Sequence, residues 1–205
     1  GLERGNSASS AVNIITNLIS KYGQGKFTKN HKSSNYDNSF IVADPNEAYI
    51  VEAANKEWVT KKIDSTIGIS NIYSINTDWT NISSTAKQTS IENKWYIESQ
   101  ERLDFFKTFS NDEIKGVKEG RGEFRRIRSC TYLNLFKGKL DLNIFLSLLK
   151  DHSNGENPSE NIQLNYSNNR SICMHYGENS ISNTAASLIA DLSQDKNRTA
   201  IYWCS

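Results

Sequence analysis

Four arginines lie close together in the second half of the chain, at Arg121, Arg125, Arg126 and Arg128. Spacings of three and four residues place Arg121, Arg125 and Arg128 along one face of a helix. A guanidinium group has five donors in a fixed fork and can bind a carboxylate through two parallel hydrogen bonds. The cluster therefore has two interpretations: a carboxylate-binding site, with Arg125 and Arg128 as the candidates, or a solvated basic helix face.

The side chains that most often act as nucleophiles or metal ligands are few and widely separated. They are the three cysteines Cys130, Cys173 and Cys204 and the three histidines His31, His152 and His175. The absence of a CxxC motif or a Cys/His cluster argues against structural zinc and against a disulfide framework. Each cysteine falls in a predicted strand or helix, which favours a buried, unreactive thiol. The histidines lack the spacing of a metal site or a triad, and no cofactor is predicted.

Three further polar residues border apolar segments of the sequence. Asn71 is predicted to follow the end of an apolar strand, and an amide NH₂ can donate to a developing oxyanion without carrying charge. Asn is equally common in turns, so a plain turn role stays open. Asp44 and Glu52 flank a predicted hairpin, where either carboxylate could orient an amino group. Asp44-Pro45 is also ordinary turn chemistry.

The composition is that of a globular chain with balanced charge. The 205 residues carry a net charge of +1, with 37% hydrophobic and 23% charged residues. This balance gives no reason to invoke nucleic acid or an acidic membrane as a partner. The longest apolar run, at 144–149, is far shorter than the ~20 residues of a membrane helix, so we expect no membrane insertion. Without a signal peptide or a disulfide pattern, a reducing cytoplasm is the simplest setting.

The first half of the sequence predicts one helix followed by an antiparallel meander. Residues 7–22 have an apolar face at three- and four-residue spacing, a serine available as N-cap and Gly23 as C-cap. The predicted face consists of Ala11, Ile14, Ile15, Leu18, Ile19 and Tyr22. A polar loop is predicted at 24–37. Short strands are predicted at 39–43, 48–53 and 57–63, joined by turns at 44–47 and 55–56.

The remaining sequence predicts helices and then strands. Residues 67–75 form a short apolar segment, and 78–94 and 154–170 are interpreted as loops. Helices are predicted at 95–109, 124–136 and 142–150, and strands at 171–176, 184–191 and 199–204. Because helices and strands are segregated rather than alternating, the predicted fold class is α+β.

Several segments resemble the secernin family, and they occur in the family's order across nearly the whole chain. They are residues 2–5 (LERG), 21–25 (KYGQG), 38–44 (NSFIVAD), 47–52 (EAYIVE), 69–71 (ISN), 74–75 (SI), 149–152 (LKDH), 171–175 (SICMH) and 184–187 (TAAS). Each segment alone is a weak signal, and the set together is specific.

The resemblance implies a fold and a mechanism. Secernins resemble cysteine-type dipeptidases of the N-terminal-nucleophile hydrolase class, whose fold stacks two antiparallel sheets between layers of helices. In the peptidases an N-terminal cysteine attacks the amide carbonyl, and its own α-amino group can serve as the base. By this likeness Asn71 is an oxyanion donor, and Arg125 and Arg128 hold the nucleophile or the substrate's carboxylate. None of the three cysteines matches the nucleophile.

The resemblance also sets expectations for the parent protein. Residues 1–205 are expected to be the central portion of a single domain, without the nucleophile segment and the C-terminal end, and inactive alone. The parent is expected to be a cytoplasmic dipeptidase acting on short peptides. The alternatives are a non-enzymatic regulator of exocytosis that acts through protein partners, or an inactive structural domain.

Overall fold

The chain divides into two units in a computed structural model that describes residues 1, 3–24, 26–27, 34–35, 38–95, 102–110, 121–152, 171–174, 183–195 and 197–205. The first unit comprises Gly1–Asp64 and Asn71–Lys118, and the second comprises Ser65–Ser70 and Glu119–Ser205. The predicted loop at 154–170 lies outside the described residues.

The first unit begins with helix α1, Ala8–Tyr22, as predicted. Ser7 and Ser10 form a reciprocal capping box, and Gly23 ends the helix at φ 70°, a conformation that favours glycine. The predicted apolar face is only partly right, because Leu18 and Tyr22 are exposed. The buried face is instead Ala8, Ala11, Val12, Thr16 and Ile19. Thr16 can be buried there because its hydroxyl donates to the Val12 carbonyl oxygen.

The central element of this unit is an antiparallel sheet. It follows a short strand pair, β1 (Lys26–Phe27) with β2 (Ser34–Asn35), which falls inside the predicted polar loop. The sheet has the order β3 (Ser39–Ala43), β4 (Ala48–Ala54), β5 (Glu57–Ile63) and β6 (Asn81–Ile82). The predicted meander is confirmed, including the turn at Asn55, which has φ 54°.

Helix α1 packs against one face of this sheet. The core there consists of Val12 and Ile19 from the helix with Val51 and Ala53 from β4. Because side chains alternate along a strand, Ile50 and Glu52 point to the opposite face, and both are buried. The segment 74–75 and helix α2 (Ala86–Glu92) contact that face through Glu52 and Glu57.

Residues 64–110 depart most from the predictions. The apolar segment 67–75 contains no continuous strand, and the predicted loop at 78–94 contains β6 and α2. Of the predicted helix at 95–109, the described part is helical only in α3, Phe105–Phe109. The carboxylate of Asp104 accepts from the Lys107 amide at 2.9 Å and so begins the helix there.

The second unit contains two helices and one strand pair among its described residues. Helix α4, Arg121–Leu135, and helix α5, Leu142–Leu149, confirm the predictions within three residues. They enclose a core of Tyr132, Leu133 and Leu148. Strand β7, Leu188–Asp191, pairs with β8, Ile201–Cys204, and both are shorter than predicted. The predicted strand at 171–176 is wrong for its described residues, 171–174.

The chain is thus a mixed α+β protein with antiparallel sheets, as the segregated pattern predicted. No helix within the described ranges is long and apolar enough to cross a membrane.

Candidate functional site

Helix α4 in the second unit positions the arginine cluster. Arg125, Arg126 and Arg128 are all partly buried, and the side chain of Arg121 lies outside the described part of the helix. A solvated basic face would leave these side chains exposed, so the burial favours the alternative, a built polar site. The Nε atom of Arg126 is buried and has no hydrogen-bond partner among the residues that the structure describes.

Arg128 is held by a carboxylate from the same unit. Its Nε and Nη2 atoms donate to the two oxygens of Asp151, which lies just after α5. The side chains of Arg128 and Asp151 are only 14% and 6% exposed. Such a buried two-point pair fixes the geometry of both partners and joins α4 to the end of α5. The fork of Arg128 is therefore directed at Asp151.

Arg125 has neutral acceptors on two sides. Its Nη1 atom lies 3.3 Å from the Met174 sulfur, and its Nη2 atom lies 3.4 Å from Ser70 Oγ. Met174 is fixed in turn by Thr184, because the Met174 amide donates to Thr184 Oγ1 and the Thr184 amide donates to the Met174 carbonyl, both at 2.9 Å.

The partners of these two arginines come from three of the segments that carry the family resemblance, and a fourth segment binds one of those partners. Ser70 lies in 69–71, Asp151 in 149–152, Met174 in 171–175 and Thr184 in 184–187. The segments are also linked directly, since the Cys173 amide donates to the Asp151 carbonyl at 2.9 Å. Segments far apart in the sequence therefore meet around Arg125 and Arg128. The sequence analysis did not identify Asp151 as the partner of Arg128. The position of Asp151, directly after a predicted helix and inside a segment that resembles the family, could have indicated a role for it.

Asn71 belongs to the first unit and is exposed. It does not follow a strand as expected, because 67–75 is irregular. The residues after it are firmly held: the Tyr73 hydroxyl donates to the Ala53 carbonyl at 3.1 Å, and the Ser74 amide donates to Glu52 at 2.8 Å. Glu52 thus accepts from the backbone of this segment, a role that its position in the sequence did not indicate.

Asp44 has the predicted turn role and a second one. Its carboxylate accepts from the amides of Asn46 and Glu47 at 2.7 and 3.0 Å, which is ordinary turn chemistry. It also accepts from the Ala8 amide at 2.6 Å, at the N-terminus of α1. These hydrogen bonds, that from Ala8 above all, lower the pKa of Asp44. Hydrogen bonds from Ser9, Tyr49 and Lys62 lower the pKa of Glu47 to about 2.

The cysteines are less buried than predicted. Cys204 is exposed, and Cys130 and Cys173 are partly buried. The expectation of a buried thiol is therefore wrong for Cys204, because the strand pair β7–β8 leaves this end of β8 open to solvent. Cys130 Sγ accepts from the Gly68 amide at 3.2 Å. His31 and His175 lie outside the described residues.

No group of three potential metal ligands occurs in the part of the chain that the structure describes. No protein-family model matches this sequence, and no solved structure matches the chain. The site must therefore be interpreted from its own geometry and from the resemblance of its segments.

Proposed function

We propose that this chain is the central part of a secernin-like hydrolase that cleaves short peptides with an N-terminal cysteine supplied by a preceding segment. Asn71 donates to the oxyanion of the tetrahedral intermediate. Arg125 binds the terminal carboxylate of the substrate, and Arg128 is a positioning residue held by Asp151. The proposed fold is the four-layer arrangement of this hydrolase class, and its second sheet is part of the proposal.

The observation that carries this proposal is the meeting of Ser70, Asp151 and Met174 around Arg125 and Arg128, with Thr184 holding Met174. A chance likeness in sequence gives no reason for the matching segments to meet around the two arginines that the family pattern marks. The packing of α1 on one face of an antiparallel sheet is also compatible with half of the four-layer arrangement.

Partial burial of Arg125 suits a carboxylate-binding role. A guanidinium that is shielded from water binds a carboxylate more strongly than one on an open surface, because the local dielectric constant is lower. Contacts with Met174 at 3.3 Å and with Ser70 at 3.4 Å help to hold the side chain in place.

The test uses the full-length parent protein and two substrates that differ in one group. Arg125→Ala should lower kcat/KM by about 10- to 100-fold for a dipeptide with a free terminal carboxylate, the loss expected for one charged hydrogen bond. For the same dipeptide with an amidated terminus the loss should be at most about threefold, because the charge pairing is already absent. Arg125→Lys should be intermediate, since it keeps the charge without the fork.

Lys137→Ala is the matched control, because Lys137 is an exposed basic residue just after α4. It should leave both substrates unaffected. An equal loss for both substrates in Arg125→Ala would make Arg125 a structural residue. A wild-type protein without thiol-dependent turnover of any dipeptide would refute the hydrolase and leave the partner-binding role.

A further inference from the structure

Glu52 is a carboxylate at the centre of the first unit's sheet, and its side chain has 0% exposure. It lies on β4, on the face opposite to α1. Its oxygens accept from the Ser74 amide at 2.8 and 2.9 Å, from the Ser74 hydroxyl at 2.6 Å and from the Ile75 amide at 3.1 Å. A buried ionised carboxylate is costly unless donors surround it, and these donors offset the cost.

These hydrogen bonds hold the segment that follows Asn71. Ile75 is buried, and Tyr73 is buried with its hydroxyl on the Ala53 carbonyl. Asn71, two residues before Tyr73, is exposed. Asn71 therefore lies just before residues 73–75, which are bound to β4 by hydrogen bonds. Ser70 and Ile72, on either side of Asn71, form only isolated β-bridges. Without a continuous strand, the position of the segment also depends on side-chain anchors such as Glu52.

We propose that Glu52 is a positioning residue that sets the place of the Asn71 amide. The proposal rests on the oxyanion role of Asn71 given above. A donor to an oxyanion must lie about 2.7–3.1 Å from the position of the charge, and it works because it is fixed before the reaction. A displacement of about 1 Å is enough to cost about 100-fold in rate. Glu52 holds Ser74, which is three residues after Asn71, so loss of this anchor would let the donor move beyond that tolerance.

The neighbouring strand supplies a matched control in Glu57. This carboxylate is also buried on the same face of the sheet, and it accepts from the hydroxyls of Ser83, Thr85 and Thr89. Ser83 follows β6, Thr85 precedes α2 and Thr89 lies within α2. All three are well separated in sequence from Asn71. Glu52 and Glu57 are therefore both buried carboxylates that accept several hydrogen bonds, and they differ in which segment they hold.

The first experiment compares Glu52→Gln with Glu57→Gln in the full-length parent protein, assayed for dipeptide hydrolysis. Glutamine has the shape of glutamate, but its NH₂ group is a donor and cannot accept hydrogen bonds from Ser74 and Ile75. The substitution should therefore weaken the attachment of residues 74–75 to β4. Glu52→Gln should lower kcat by about 10- to 100-fold with KM changed less than about twofold. Glu57→Gln should lower the unfolding midpoint to a similar extent and change kcat less than about twofold. Equal kcat losses in the two variants would overturn the proposal.

A double-mutant cycle separates positioning from general destabilisation. Asn71→Ala should lower kcat by about 10²–10³, as for other oxyanion donors. In the Asn71→Ala background, Glu52→Gln should have almost no further effect on kcat, because there is no donor left to misplace. Independent losses that multiply would overturn the proposal. If Glu52→Gln fails to fold, Ser74→Ala replaces it, since it removes the hydroxyl and keeps the backbone hydrogen bonds.

A second measurement does not require activity. The side-chain amide signals of Asn71 should be ordered by NMR relaxation in the wild type, become mobile in Glu52→Gln and stay ordered in Glu57→Gln. An Asn71 amide that is unchanged by Glu52→Gln would overturn the positioning role. A wild type with this NMR behaviour but no dipeptide turnover would instead refute the hydrolase function alone.

Discussion

Arg125 and Arg128 lie three residues apart on one helix, and Arg128 is the one that forms an ion pair with Asp151. Arg128 faces the carboxylate of Asp151, whereas Arg125 contacts the sulfur of Met174 and the hydroxyl of Ser70. A pairing that is mostly shielded from water is strong only while both charges are present. Loss of Arg128 should therefore be felt first in stability.

Removing one partner of the Arg128–Asp151 pair should be strongly destabilising. We expect Arg128→Ala or Asp151→Ala to lower the free energy of unfolding of the second unit by about 3–5 kcal/mol, because a buried charge is left alone. The double variant Arg128→Met/Asp151→Leu should recover most of that loss, because it removes both charges and fills the space. Denaturant unfolding of the full chain measures all three values.

Arg198 and Asp191 form the matched exposed pair in the same unit. Their side chains are 49% and 40% exposed. An exposed ion pair contributes about 0–1 kcal/mol, so Arg198→Ala should change stability little. Similar losses for Arg198→Ala and Arg128→Ala would contradict the argument, because burial would then not decide the cost.

Helix α1 shows how an element depends on a residue from a distant part of the chain. Its first amides are bound by the hairpin turn between β3 and β4: Ala8 donates to Asp44 at 2.6 Å and Ser9 to Glu47 at 3.1 Å. The positive end of the helix dipole favours these carboxylates. The turn therefore fixes the start of α1 over the sheet, in addition to the local cap at Ser7.

This docking predicts an acid-sensitive helix. In the unfolded chain Asp44 and Glu47 have ordinary pKa values of 3.8 and 4.5, and in the folded chain both pKa values are lower, with Glu47 at about 2. Their contribution to stability is complete above about pH 5 and is lost as the pH falls towards 2. Asp44→Asn should therefore be less stable than the wild type at pH 7, and the difference should shrink towards pH 2.

The control for this prediction is Asp64→Asn, since Asp64 is exposed at the end of β5. Its stability relative to the wild type should show no comparable dependence on pH. Thermal melts from pH 7 to pH 2 provide the comparison. A constant difference between Asp44→Asn and the wild type would show that the carboxylate charge has no part in the docking.

The elements that sequence analysis predicted well are those with strong local signals. The helix α1 has a capping box and a glycine stop, and the β3–β4–β5 meander has Asp44-Pro45 and Asn55-Lys56 turns. The buried face of α1 was predicted wrongly at Leu18 and Tyr22. Helical periodicity identifies a band of apolar side chains, but contact with the sheet decides which members of that band are buried. The helix α2 was missed because its seven residues are mostly polar and it has no side-chain N-cap.

The candidate site divides in the same way. Arg125 and Arg128 are visible in the sequence as guanidinium groups at helical spacing, and their role as site residues stays a prediction. Their partners could not be derived from local pattern. Asp151 and Met174 lie 23 and 49 residues from the arginines that they contact. The burial of Glu52 was likewise hidden, since an alternating strand with a central glutamate usually turns that residue to solvent.

At the scale of the whole chain, the sheet of the first unit has an apolar edge. Among the described residues, β3 is the last strand on its side of the sheet. Phe40 and Ile41, which are consecutive on β3, are 36% and 50% exposed. An edge strand presents unpaired backbone groups, and natural edges usually carry charges that discourage pairing with another molecule. Strand β3 contains only Ser, Phe, Ile, Val and Ala.

We therefore expect the 205-residue chain to self-associate at micromolar concentration through β3. Ile41→Lys should suppress this association, because it places a charge on the edge strand. Ile127→Lys is the matched control, since Ile127 is 51% exposed but lies on helix α4, where no backbone edge is available. Sedimentation velocity on the three proteins measures the effect. Equal suppression by both lysines would attribute the association to exposed apolar area alone. A monodisperse wild-type monomer that melts cooperatively above ~60 °C would refute the prediction of self-association.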